Sequence, residues 1–261
     1  MAAKPIKTPS AQELDVQIPD SRESAVQQAA EALSTQLRSK KGKQKGFKAT
    51  ATKRLALDVP VADQSAAAAA ELARDILRAL PSDVAKQLTV VFADVDAALL
   101  ASDMLDNEVA QLDDDASSLT GDLMVVAPTV EQVGDVKRLL SGWRGRAVVV
   151  LNAEWPPELP SEEDTAFTAT FEHVYSFMPL AIKAFIVTIE GAVYKRVRRG
   201  SPSASPWLIF KSEGGEMRCI GRQQRRPLTR DLESAIAAAS AAKSPVAKGM
   251  QMLKKITTKK T

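Results

Sequence analysis

Cysteine and histidine occur once each, as Cys219 and His173, in a chain of 261 residues. A disulfide framework and a Cys-based zinc site both need more than one cysteine, so both are excluded. A single histidine excludes every motif built on two. Aromatic residues are scarce, at 5%. No apolar run approaches the roughly 20 residues that span a bilayer. The best run, Met178 to Ile189, is shorter and is interrupted by Lys183. Met1 to Gln12 alternates Lys, Pro, Thr and Ser without the apolar stretch of a secretory signal, and no Arg- and Ser-rich transit extension is visible. Neither GxGxxG nor GxxxxGKS/T occurs, and the first strand-to-helix connection, Val61 to Ser65, has no glycine or lysine and carries Asp63. That argues against ordinary dinucleotide or nucleoside triphosphate binding.

What is present is an ordinary globular balance, with 45% hydrophobic and 26% charged residues, enough for a sizeable core. The net charge of +3 conceals blocks of one sign. Arg38 to Arg54 holds eight Lys/Arg and no acid, and Asp94 to Asp135 holds eleven Asp/Glu and no base. Lys195 to Arg230 holds ten Lys/Arg against Glu213 and Glu216, and Lys248 to Thr261 adds five lysines. Such blocks speak about partners more than the total does.

The pattern along the chain predicts a segment without structure over residues 1–20, one α/β domain over 21–242 with a basic loop at 38–53, and a flexible basic tail over 243–261. Helical spacing starts at Ser21. Strands are expected at Arg54 to Val61, Gln87 to Ala93, Asp122 to Ala127 and Arg146 to Leu151, as short unbroken apolar runs. Ser65 and Asp94 are placed to cap helices, and Thr129 with Gln132 reads as a capping box. Asp106 to Thr120 reads as an acidic loop or frayed helix, and Thr165 to Leu180 as a helix. Three further strands follow, with Gly214-Gly215 as the clearest hairpin turn, and an Ala-rich helix closes the domain. The expected fold is an open, doubly wound, mostly parallel sheet with antiparallel edge strands on the C-terminal side.

In such a sheet ligands bind beyond the carboxyl ends of the strands, here at Asp94, Pro128 and Asn152. Asp94 and Asn152 have the chemistry to chelate a cation or hold a ribose; equally, one caps a helix and the other opens a loop. His173 and Ser176, three apart on a helix and outside any GxSxG elbow, read as part of a packed helix rather than as nucleophile and base. Cys219 lies beside Arg218 and Arg222, and cations lower a thiol pKa, although a lone cysteine is usually a small core residue. The residues Tyr175, Arg196, Arg198, Arg199, Trp207, Arg222, Arg225 and Arg226 make a candidate partner surface. Its chemistry suits an acidic protein, an anionic membrane or, less well, nucleic acid; the alternative is a solvated sheet edge whose charge blocks strand pairing. No residue set reads as a catalytic, cofactor or metal site.

The run Phe171-Glu172-His173-Val174-Tyr175-Ser176-Phe177-Met178-Pro179-Leu180, with Gly191-Ala192-Val193 and Pro206-Trp207-Leu208-Ile209-Phe210, resembles a plant, algal and cyanobacterial domain of unknown function. Its members include the chloroplast low-photosystem-II-accumulation proteins, and the domain is also fused to some chloroplast adenylate kinases. Lys53 to Pro60, Val91 to Asp94, Val125 to Pro128, and Val148 to Asn152 with Trp155 agree, so the likeness covers about Ser21 to Ala242. The lysine-rich Lys40 to Lys53 and the basic tail are additions relative to shorter members. The resemblance implies a chloroplast stromal protein, associated with the thylakoid, that assists photosystem assembly through contacts with a thylakoid or photosystem assembly protein. It brings no catalytic residues and no cofactor.

Overall fold

A computed structural model describes residues 9–11, 14–39, 52–184 and 187–241. The expectations for the lysine-rich loop at 40–51 and for the tail beyond Lys243 lie outside the described residues. The chain forms two compact units, the larger made of Pro19–Met178 and Lys195–Ser205, the smaller of the remaining segments.

The larger unit begins with α1 (Arg22–Arg38), capped by Ser21, whose Oγ accepts from the Ser24 N–H at 3.1 Å. There follow β1 (Lys53–Asp58), α2 (Ala66–Ala79), α3 (Ser82–Ala85), β2 (Leu88–Phe92), α4 (Val95–Ser102), β3 (Val109–Gln111), β4 (Asp122–Val126), α5 (Val133–Gly142), β5 (Ala147–Leu151), α6 (Glu162–Thr168) and β6 (Glu172–Ala184). Every residue of β2, β4 and β5 is buried, as expected for strands covered on both faces. Ser65 caps α2 through the Ala68 N–H at 3.2 Å, and Asp94 caps α4 through the Ala97 N–H at 2.8 Å. β1 runs parallel to β5 and β6, β4 to β2 and β5, and β2 to β3.

One face of this parallel sheet presents Ala56, Val91, Leu123, Val125, Val148 and Val150 to Val133, Val136 and Leu139 of α5 and to Trp143, Trp155 and Phe171. Successive side chains of a strand alternate sides, so Leu57, Phe92, Met124 and Leu151 point the other way. There α2 packs with α1 and α4, burying Leu72, Ala73, Ile76 and Leu77 in one stripe.

Two stretches within residues 106–180 depart from expectation. Thr165 to Leu180 is not one helix: α6 stops at Thr168 and β6 begins at Glu172. Phe171, Val174 and Tyr175 have helical spacing, but the β-branched and aromatic run fits a strand once Tyr175 pairs with Leu57. The segment Asp106 to Thr120 contains β3, an edge strand beside β2.

The smaller unit continues β6 from Pro179 and holds β7 (Val187–Arg196) up to Tyr194, β8 (Trp207–Glu213), β9 (Glu216–Gln223) and α7 (Thr229–Ala241). Gly214 and Gly215 have φ of +61° and +82°, the positive pair that a tight hairpin turn requires. At Gly191 a Cβ would meet the Phe210 carbonyl oxygen at 2.2 Å, so only glycine lets β7 approach β8 there. Residues 9–11 fall in the segment expected to lack structure, yet they run along β9. The Pro9 and Met217 carbonyls accept from the Cys219 and Ala11 N–H groups at 2.8 and 2.9 Å. Across the chain the hydrogen-bonded order is β3-β2-β4-β5-β1-β6-β7-β8-β9, a nine-stranded, mostly parallel sheet with antiparallel strands on the C-terminal side.

Candidate functional site

After β2 the chain turns to α4 on one face of the sheet; after neighbouring β4 it turns to α5 on the other. Divergence of this kind opens the usual ligand crevice of an α/β sheet. Here Gln132 occupies it. Its Oε1 accepts from the Thr129 N–H at 3.0 Å, and its Nε2 donates to the Ala93 carbonyl at 2.8 Å. The side chain of Asp94 is engaged in capping α4. Pro128 is buried, and its carbonyl accepts from the Glu154 N–H at 3.0 Å.

A second amide closes the gap between β5 and β1. Asn152 Oδ1 accepts from the Val59 N–H and Asn152 Nδ2 donates to the Val59 carbonyl, both at 2.8 Å. Its own N–H donates to the Leu57 carbonyl at 2.8 Å. Asn152 sits at φ +51°, a left-handed conformation that asparagine tolerates better than most residues. Ala127, at the end of β4, has φ +50°. The three strand-end residues picked out by sequence, Asp94, Pro128 and Asn152, are thus engaged by backbone groups of the protein itself.

His173 and Ser176 do come together, by a route sequence spacing did not show. The register of β6 on β1 slips between Ala56 and Leu57, so that Val174 is the extra residue. A bulge of this kind resets the alternation of sides. Both side chains then reach one oxygen of Asp58, which accepts from Ser176 Oγ at 2.9 Å and lies 3.3 Å from His173 Nε2. A catalytic triad places the histidine between serine and carboxylate. Here the carboxylate stands between the other two, and Ser176 is fully buried. The arrangement ties β6 to β1 and directs the serine hydroxyl to the carboxylate, not to the histidine. Nearby, Arg54 lies over the Phe167 and Phe171 rings at 5.1 and 5.9 Å and donates to Thr170 Oγ1 at 2.8 Å. Lys195 is 5% exposed; burial pushes its ammonium below the ordinary lysine range, and the charge of Glu172 acts in the opposite direction.

Sequence reasoning missed a cleft of about 730 Å³ at the opposite, amino ends of the strands. Arg74, Arg78, Lys86, Thr89, Asn107 and Glu108 are among its lining residues. Glu108 Oε2 accepts from Thr89 Oγ1 and Thr120 Oγ1 at 2.9 and 3.0 Å. Beside it, buried Asp122 accepts from the Arg146 and Ala147 N–H groups at 3.1 and 3.0 Å and pairs with the Arg146 guanidinium at 2.9 Å. The sequence signal was a polar residue opening each apolar run: Gln87, Asp122 and Arg146. Among the described residues no three His, Cys, Asp or Glu side chains gather as metal ligands would.

The candidate partner surface divides. Tyr175 and Trp207 are buried, and Arg196 is paired with Glu31 with little exposure. Arg198 and Arg199 are exposed in the larger unit; Arg222 and Arg225 are exposed and Arg226 half-buried in the smaller. Cys219 is buried, and burial raises its thiol pKa despite the opposing effect of Arg222. Its Sγ donates to the Gly221 carbonyl at 3.3 Å. No described helix is long and apolar enough to cross a membrane.

A family model described as a domain of unknown function (DUF1995) matches residues 19–234. The chain belongs to that family. No curated protein and no solved structure matches it.

Proposed function

We propose that this DUF1995 protein is a non-catalytic auxiliary factor of the chloroplast stroma that assists photosystem biogenesis at the thylakoid through protein–protein contacts. The observation that carries the reading is the closure of the strand-end crevices by Gln132 and Asn152, which bond backbone groups where a substrate or cofactor would lie. The Asp58 arrangement supports it, because the serine is fully buried and donates to the carboxylate, not to the histidine. The likeness of Phe171 to Leu180 and Pro206 to Phe210 to the low-photosystem-II-accumulation proteins supplies the chloroplast setting and the client class. Exposed Arg198, Arg199, Arg222 and Arg225 supply charge for docking on acidic protein surfaces or anionic lipid.

Affinity purification of the tagged chain from intact chloroplasts tests this. At low salt, thylakoid or photosystem assembly proteins are expected in the eluate. They should decline as salt shortens the screening length below about 8 Å. An eluate without any thylakoid protein at low salt refutes the proposal. A second reading, plastid RNA binding, rests on Arg222, Arg225 and Arg226; it predicts a salt-dependent affinity that falls when the three are replaced by glutamine.

A further inference from the structure

We propose that the outward face of α4 is a docking surface for a basic amphipathic helix of a partner protein. The helix has large and small apolar residues on the wrong sides for a free surface helix. It packs inward through Ala97, Ala98 and Ala101, which are almost fully buried, and turns Val95, Leu99 and Leu100 outward, at 54%, 61% and 43% exposure. These are the exposed large hydrophobic residues among the described residues. Large apolar side chains clustered on the outward face of a helix are ordinarily covered by another protein surface. The alanines bring α4 close to α2, while the larger side chains stand exposed among the described residues.

Charge selects the occupant. Asp96 precedes Leu100 by one turn and Asp103 follows Leu99 by one turn, so both acids lie among the exposed apolar groups. Both are exposed, and neither forms an ion pair among the described residues. Asp94 and Asp106 extend the acidic rim at the two ends, and no Lys or Arg occurs between Asp94 and Asp135. A helix with leucine-type residues at three- and four-residue spacing, flanked by lysine or arginine, matches both properties. Other occupants fit less well. A two-fold pair of these faces would set acid against acid. An anionic membrane would be repelled. An added strand meets poor ground, because β3 is three residues long and its Gln111 N–H is already bonded to Asp114 Oδ2 at 2.8 Å. The inference uses none of the arginines named above and does not depend on the photosystem reading.

The test titrates the full chain into a fluorescein-labelled Leu/Lys amphipathic helix of about 18 residues, five turns, followed by anisotropy. A Leu/Glu analogue serves as control. Binding of the Leu/Lys helix is expected, with none for Leu/Glu. The Leu99→Ser/Leu100→Ser and Asp96→Asn/Asp103→Asn double variants should each raise Kd at least about tenfold, with unchanged melting temperature because the replaced groups are exposed. The inference is overturned by no binding of the Leu/Lys helix, by equal binding of the Leu/Glu helix, or by variants that bind like the parent. A doubled mass in light scattering that Leu99→Ser/Leu100→Ser abolishes would overturn it in favour of self-association. Adsorption to phosphatidylcholine vesicles lost in that same variant would overturn it in favour of lipid.

Discussion

Replacing Asn152 with alanine should be among the costlier single changes outside the apolar core. Two hydrogen bonds at 2.8 Å to the Val59 backbone disappear together. Each contributes about 0.5–1.5 kcal/mol net, and more when the partner left behind is buried; Val59 is 3% exposed. Alanine must also hold φ near +51°, which adds roughly 1 kcal/mol of steric cost. The sum is about 2–4 kcal/mol. At about 2–4 °C per kcal/mol for a domain of this size, the melting temperature should fall by about 4–16 °C. Asn152→Gly separates the two contributions. It loses the same hydrogen bonds and is freed of the steric cost, so it should retain about 1 kcal/mol relative to alanine. Urea unfolding followed by circular dichroism measures both variants, with the slope checked for constancy. The reasoning fails if Asn152→Ala unfolds within about 0.5 kcal/mol of the parent, or if the glycine variant is the less stable of the two.

Cys219 is buried and its thiol pKa is raised, so alkylation by iodoacetamide at pH 8 should be at least about tenfold slower in the native chain than in urea-unfolded chain; equal rates would show an accessible thiolate. Lys195 carries a pH signature. Its folded pKa lies below the unfolded value, so the unfolded state binds more protons between the two, and stability rises with pH through that window. Relative to Lys195→Met, the parent should therefore gain stability as pH rises towards the ordinary lysine range at about 10, measured by urea midpoints; a difference that is flat or of opposite sign refutes the assignment.

Much of the larger unit was legible because its signals are local. Val148 to Leu151 and Leu123 to Val126 are unbroken apolar runs, and strands buried on both faces read that way. Ser65 and Asp94 cap the helices that open after β1 and β2. β6 was not legible as a strand because its bulge at Val174 spoils the two-residue alternation and leaves a spacing that also suits a helix. The closure of the strand ends was half legible. Gln132 announced its bond to Thr129 three residues away; its bond to Ala93 crosses 39 residues and leaves no trace in a local window. Asn152 was visible as a strand-end polar residue, but its partner, Val59, lies 93 residues earlier. Burial likewise removed Tyr175 and Trp207 from the candidate surface, since aromatic residues beside arginines look alike in sequence whether they face solvent or core.

The position of β1 in the sheet bears on how the chain is made. Its neighbours are β5 and β6, and the first of these pairings joins Lys53 to Ala147. During synthesis at about 5–20 residues per second, the apolar stretch Leu55-Ala56-Leu57 therefore waits roughly 5–20 s for either partner to appear. The antiparallel hairpin of β8 and β9, by contrast, can close as soon as its own turn has emerged. A nascent chain of this protein thus carries an unpaired β1 through about a third of its translation.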